Sequence, residues 1–146
     1  MIPSFVHGPI APVFTAFNED GSFDEKGQRE FLSFLMERGS IAAYFLRCGM
    51  GQMYAFQYDE VKQIAKVARE QLGSLPLIVG TTGIWDRNRD KLPDPGVFLQ
   101  QAIELSQYAE SVGVDGVVHT IPEGLQRNEN ETPADATLRY FEAVTK

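Results

Sequence analysis

The sequence predicts an α/β fold built on an all-parallel sheet, and three observations carry that expectation. Short apolar runs begin near positions 10, 41, 77 and 115. Each gives way to a segment whose apolar residues recur at helical spacing. Ile41–Leu46 and Pro76–Gly80 are near-continuous rather than alternating, as strands covered on both faces are. Four βα units in succession, joined by right-handed crossovers, make half of a (β/α)8 barrel. The expected fold is therefore α/β, four consecutive βα units forming the N-terminal half of a (β/α)8 TIM barrel, as one partial domain over residues 1–146. A small, complete doubly wound sheet is the alternative.

The first strand is expected over 10–16, where Pro9 and Pro12 oppose a helix. Asn18-Glu19-Asp20-Gly21 is a turn by composition. Asp24 is a helix N-cap, followed three residues later by Gly27 rather than the Glu of a full capping box. Phe31, Leu32, Leu35 and Met36 then share one face, and Gly39 is a stop. The second strand is expected over 41–47 and the second helix from about Asp59 to Leu72, with Val61, Ile64, Ala65, Val67 and Ala68 inward. The third strand, 76–80, runs into Thr81-Thr82-Gly83. Residues 85–95 are too polar and Pro-broken for an element and are expected to form an inserted loop on the ligand side. A third helix is expected from roughly Gly96 to Val112, a fourth strand over 115–121, and a fourth helix from Thr132-Pro133 to Lys146. The early aromatics Phe14, Phe17, Phe31, Phe34, Tyr44 and Phe45 are expected in the core.

Composition narrows the function. The chain has a net charge of -7 and no Lys/Arg cluster, which argues against nucleic acid and anionic membrane surfaces as partners. A single cysteine, Cys48, excludes a disulfide framework and points to a reducing compartment. No apolar run approaches a membrane span, and the start lacks the layout of a secretory leader, so a cytoplasmic location is expected. His7 and His119 are far apart, so no metal-ligand spacing exists, and no phosphate-binding loop is complete. No cofactor is expected. Ligand sites of such folds sit at the carboxyl ends of the strands, which draws attention to the turn Gly49-Met50-Gly51-Gln52. Its glycines allow a ligand close to the backbone, although plain chain reversal is the other reading. Arg47 beside it could pair a substrate carboxylate bidentately or form a structural ion pair with a loop. His119 could act as an acid or base, and Cys48 reads as a buried small hydrophobe.

Several motifs carry a resemblance. Gly8-Pro9-Ile10-Ala11-Pro12-Val13-Phe14-Thr15-Ala16-Phe17 followed by Asp20-Gly21-Ser22-Phe23-Asp24 resembles a strand ending Thr-Pro-Phe and then Asp-Gly-x-hydrophobic-Asp. Cys48-Gly49-Met50-Gly51-Gln52 stands where Gly-Thr-Thr-Gly-Glu is usual. Pro76 to Gly83 resembles Pro-Val-Ile-Ala-Gly-Thr-Gly, and Gly113-Val114-Asp115-Gly116 with Ile121-Pro122 resembles Gly-Ala-Asp-Gly with a later Pro-Tyr-Tyr. In this order and spacing, they make the chain similar to the dihydrodipicolinate synthase/N-acetylneuraminate lyase family.

That resemblance implies a lyase of the class I aldolase type on a barrel, acting on pyruvate or another 2-oxo acid. A sixth-strand lysine would form the Schiff base, a tyrosine after strand four would relay protons, and the Thr-Thr turn would bind the substrate carboxylate. Here the substrate-binding candidates are Thr15, Arg47, Gly49, Met50, Gly51 and Gln52. The departures are substantial. None of Lys26, Lys62, Lys66, Lys91 or Lys146 is expected at a strand's carboxyl end, so the Schiff-base lysine is absent. Gly124 occupies the relay-tyrosine position, and Gly49 and Met50 replace both threonines. The isolated chain is therefore expected to be inactive. A non-catalytic degenerate homologue or small-ligand-binding protein is the alternative. Half a barrel also leaves strand edges and an apolar interior uncovered. The chain is thus read first as a truncated lyase-family protein, and second as one that pairs with another copy or another chain to close the barrel.

Overall fold

The computed structural model describes residues 3–88, 90–120 and 125–145. After a 3-10 turn at Ser4–His7, the elements are β1 (Ile10–Pro12), α1 (Glu25–Glu37), β2 (Ala43–Leu46), α2 (Tyr58–Leu72), β3 (Leu77–Gly80), α3 (Pro95–Ser111), β4 (Gly116–Val118) and α4 (Pro133–Val144). The strands form one sheet in the order β1-β2-β3-β4, parallel throughout. This is the expected half barrel and not a doubly wound sheet, whose strand order would reverse direction from a central strand.

The register sorts the side chains onto two faces. Tyr44 lies beside Leu77, and Leu46 beside Val79. These four join Val61, Ile64, Ala65, Ala68, Leu72 and Leu105 in the main core between sheet and helices. Alternation puts Ile10, Phe45, Ile78 and Val118 on the opposite face, the inside of a closed cylinder. There Ile10 and Val118 are 39% and 37% exposed.

Strands are shorter than the sequence suggests. After Pro12 the amide of Val13 still donates to the Phe45 carbonyl at 2.9 Å. Beyond it, the buried Gln28 of α1 captures the chain: its Oε1 accepts from the Ala16 amide and its Nε2 donates to the Phe14 carbonyl. β2 begins two residues late and ends where Arg47 turns left-handed at φ 48°. β4 ends at Val118, and Ile121 of the expected 115–121 strand lies outside the described residues.

Helix boundaries follow their caps. The Asp24 carboxylate accepts from the Gly27 amide, as expected. Gln57 and Glu60 form a capping box that starts α2 at Tyr58, one residue earlier than expected, and Asp94 starts α3 at Pro95. Thr132 and Asp135 form a second capping box at α4, which runs to Val144; Lys146 lies outside the described residues.

The expectation that all the early aromatics are core is corrected. Tyr44 is buried and Phe17, Phe31 and Phe45 are half-buried, but Phe14 and Phe34 are 53% and 47% exposed. Phe14 and Phe34 both pack against Phe31, with Phe14 just past β1 and the other two on α1. Helical spacing identified an apolar face on α1, but β1 is the end strand of this sheet, and among the described residues no further helix flanks α1 there.

Candidate functional site

The carboxyl ends of the strands gather the polar residues. Thr15 and Gly51, 36 positions apart in the chain, are joined by the Thr15 hydroxyl donating to the Gly51 carbonyl at 2.6 Å. A Cβ on Gly51 would lie 2.7 Å from the Val13 carbonyl oxygen, so this approach requires glycine. The β2–α2 turn is thereby drawn against the end of β1. Within it, the Met53 amide donates to the Cys48 carbonyl and the Gln52 amide to the Gly49 carbonyl. Gly49, Met50 and Gln52 are exposed while Gly51 is buried. Two non-glycine residues bracket the turn in the left-handed region, Arg47 at φ 48° and Gln52 at φ 58°. Such backbone strain persists where the surroundings hold it, commonly at ligand sites.

Arg47 folds against the end of the neighbouring strand rather than pairing with a loop carboxylate among the described residues. It is only 2% exposed. Its Nη1 donates to the Gly80 carbonyl at 3.0 Å and to the Thr82 carbonyl at 2.6 Å, at the carboxyl end of β3. Nε is buried with no hydrogen-bond partner among the described residues. Burial pulls the guanidinium down to about 10, opposed to a smaller extent by the neighbouring Tyr140 and Tyr54 phenols. No structural ion pair to Arg47 is present among the described residues.

A second polar group sits on the helix side of the sheet. His119 Nδ1 lies 2.9 Å from the Tyr140 hydroxyl, and its Nε2 lies 3.1 Å from Ser106 Oγ and 3.2 Å from Thr81 Oγ1. The histidine thus ties the end of β4 to α3, α4 and the β3–α3 loop. Burial, helped by the Arg47 charge, lowers it to about 4, so it is neutral near pH 7. Burial also raises the Tyr140 phenol, whose hydroxyl is close to that of Thr82. Phe98, Ala102, Leu125 and Tyr140 form a small second core here, with Trp85 against it.

Part of the 85–95 loop packs against its neighbours. Trp85 Nε1 donates to the Asn88 carbonyl, and the Arg87 guanidinium lies over the Tyr54 ring at 4.9 Å. Cys48 is buried, with its thiol against the Val13 carbonyl. The side chain of Asp115, the acidic residue of the fourth-strand motif, accepts from the Leu77 amide and from Arg69 Nη1 at the opposite end of the strands. The relay-tyrosine position, Gly124, lies outside the described residues.

Sequence reasoning missed Gln28, Thr82, Ser106 and Tyr140. Gln28 had one signal: a polar residue one turn before Leu32 on the inward face of α1. The others are ordinary helix or loop residues whose convergence depends on the crossover geometry.

Four parallel βα units in sequential order, with polar residues at the strands' carboxyl ends, define the class as the half-barrel of a (β/α)8 fold. The particular family follows from comparison. The family model described as "Dihydrodipicolinate synthetase family" matches residues 6–129, and the chain belongs to that family. YagE of Escherichia coli K12, named as a candidate 2-dehydro-3-deoxy-D-gluconate aldolase, is 31% identical over 138 residues, covering 94% of this chain and 39% of YagE. The N-acetylneuraminate lyase of Histophilus somni is 26% identical over 79% of this chain and 35% of its own length. The crystal structure of YagE in complex with pyruvate superposes with a TM-score of 0.73 at 30% identity, covering 94% of this chain and 40% of that one. CdNal of Clostridium difficile, solved with mannosamine, has a TM-score of 0.76 at 17% identity, a likeness of fold alone. The chain thus spans about two fifths of the length of these relatives. Among the described residues no helix is long and apolar enough to cross a membrane.

Proposed function

We propose that this chain supplies the first half of a cytoplasmic lyase of the aldolase type acting on pyruvate or another small 2-oxo acid. The Schiff-base lysine is contributed by further βα units that complete the barrel. The carrying observation is the Thr15–Gly51 hydrogen bond, which draws a strained, glycine-bearing turn to the carboxyl end of the sheet in a chain of this family. Thr15 fixes the turn, Gly49–Gln52 present backbone to the substrate, and Arg47 supplies positive charge for its carboxylate. A lysine amine would add to the substrate ketone and expel water, and the resulting iminium would accept the electron pair of the breaking bond. None of the chain's own lysines is assigned that role.

The test is borohydride trapping with pyruvate, on the chain alone and on the chain mixed with the remaining barrel segment of a relative such as YagE. The expected result is no adduct alone and an adduct on the partner segment's lysine in the mixture, seen as a mass increase. An adduct on any lysine of this chain would overturn the assignment. A second reading, a non-catalytic carboxylate-binding homologue, is favoured by exposed Gly49 and Met50 in place of two hydroxyl-bearing residues. It predicts pyruvate binding without an adduct even in the mixture.

A further inference from the structure

A guanidinium buried without a carboxylate is energetically incomplete. Removing it from water carries a penalty that an anion with good geometry offsets and neutral carbonyls offset only in part. Arg47 fits that description among the described residues: it is 2% exposed, two carbonyls take its Nη1, and Nε has no partner. Its backbone adds an independent mark. A non-glycine residue held at φ 48° at the end of a strand is strained, and the strain fixes where the side chain leaves the turn. Thr82, whose carbonyl Arg47 binds, and Tyr140, whose hydroxyl is near Thr82, place further hydroxyl groups around the same strand ends.

We propose that Arg47 is the specificity-determining cation of the site, a built receptor for the carboxylate of a small 2-oxo acid, which replaces the two threonine hydroxyls lost at Gly49 and Met50. This deepens the reading of the preceding subsection and rests on it for the identity of the acid. A guanidinium can present Nε and a terminal nitrogen as parallel donors to the two oxygens of a carboxylate. The unpartnered Nε is the donor such a pair would use. The turn then selects by charge and planarity. Hydroxyls would serve an uncharged carbonyl group about as well, whereas Arg47 gains most from an anion.

Arginine side-chain NMR on the full 146-residue chain tests this directly, since the Nε–Hε resonance of Arg47 reports its acceptor. Arg47→Lys identifies the resonance. Pyruvate is expected to shift it downfield in a saturable manner, while methyl pyruvate, the neutral ester, leaves it in place. Calorimetry with pyruvate should show binding weakened on the order of 30-fold or more in Arg47→Met, and to a smaller degree in Arg47→Lys, which keeps the charge but loses the fork. An Arg47 resonance indifferent to pyruvate, or equal binding of pyruvate and its ester, would overturn the inference even if the substituted chains fail to fold. The two readings fail separately. Arg47-dependent carboxylate binding with no trapped adduct in the completed barrel removes the lyase reading alone. An adduct that forms equally well in Arg47→Met removes the present inference alone.

Discussion

Gln28 shows how one side chain can do the work of several backbone bonds. It is fully buried, and its amide accepts from Ala16 and donates to Phe14, holding the stretch that carries Thr15 after β1 has ended. Gln28→Leu keeps the volume and strands both backbone groups, so it should destabilise the chain by about 2–4 kcal/mol. Urea unfolding measures this, and a midpoint unchanged from the parent would contradict it. His119 makes a prediction in pH. Its folded value, about 4, lies below its ordinary 6.5, so the unfolded chain binds more protons between those limits. Stability is therefore full above pH 6.5 and falls as pH drops toward 4, by on the order of 2 kcal/mol once partial exposure is allowed for. His119→Gln should flatten that part of a plot of Tm against pH. Glu131, held down to about 2 chiefly by Arg139, titrates mostly below this window and leaves the difference readable. What the sequence could say of His119 was limited, because its partners Ser106 and Tyr140 arrive from α3 and α4.

At the scale of elements, residue patterns were highly informative about helices and less so about strand ends. Asp24, Gly39 and the periodic faces of α1 and α2 placed those helices to within a residue or two, because caps and one-sided burial are local properties. Strand ends depend on which backbone group captures the next residue, as Gln28 does after β1, and no local signal states that. Asp24→Ala removes the carboxylate from the Gly27 amide and should lower stability by about 1 kcal/mol. The β2–α2 turn is the most sensitive connection. Gly51→Ala drives a methyl group to 2.7 Å from the Val13 carbonyl and should cost about 2 kcal/mol while detaching Thr15. Thermal unfolding gives the first effect, and loss of pyruvate binding by calorimetry gives the second. The turn's position was legible from its glycines, but the burial of Arg47 was not. Whether a strand-end arginine faces solvent or folds under the next loop depends on its φ, which the sequence does not reveal.

For the whole molecule, the parallel order β1-β2-β3-β4 leaves β1 and β4 as outer strands, with Ile10 and Val118 on the uncovered face and Phe14 and Phe34 beside the first edge. Such edges invite pairing. The isolated chain should self-associate, and the association should strengthen as ionic strength rises, since copies carrying a net charge of -7 repel one another until screened. Sedimentation velocity across a salt series tests this, and a monomer at every salt concentration would contradict it.

Asp115 binds the Leu77 amide and Arg69 at the amino ends of the strands, joining α2, β3 and β4 well away from the turn. The fold is thus riveted at its floor while the rim at the strands' carboxyl ends stays chemically editable. Gly49 and Met50 can stand where the family has two threonines without loosening the frame beneath them. Changes of ligand preference in this lineage should therefore accumulate along the rim, and Asp115 and Arg69 should outlast them.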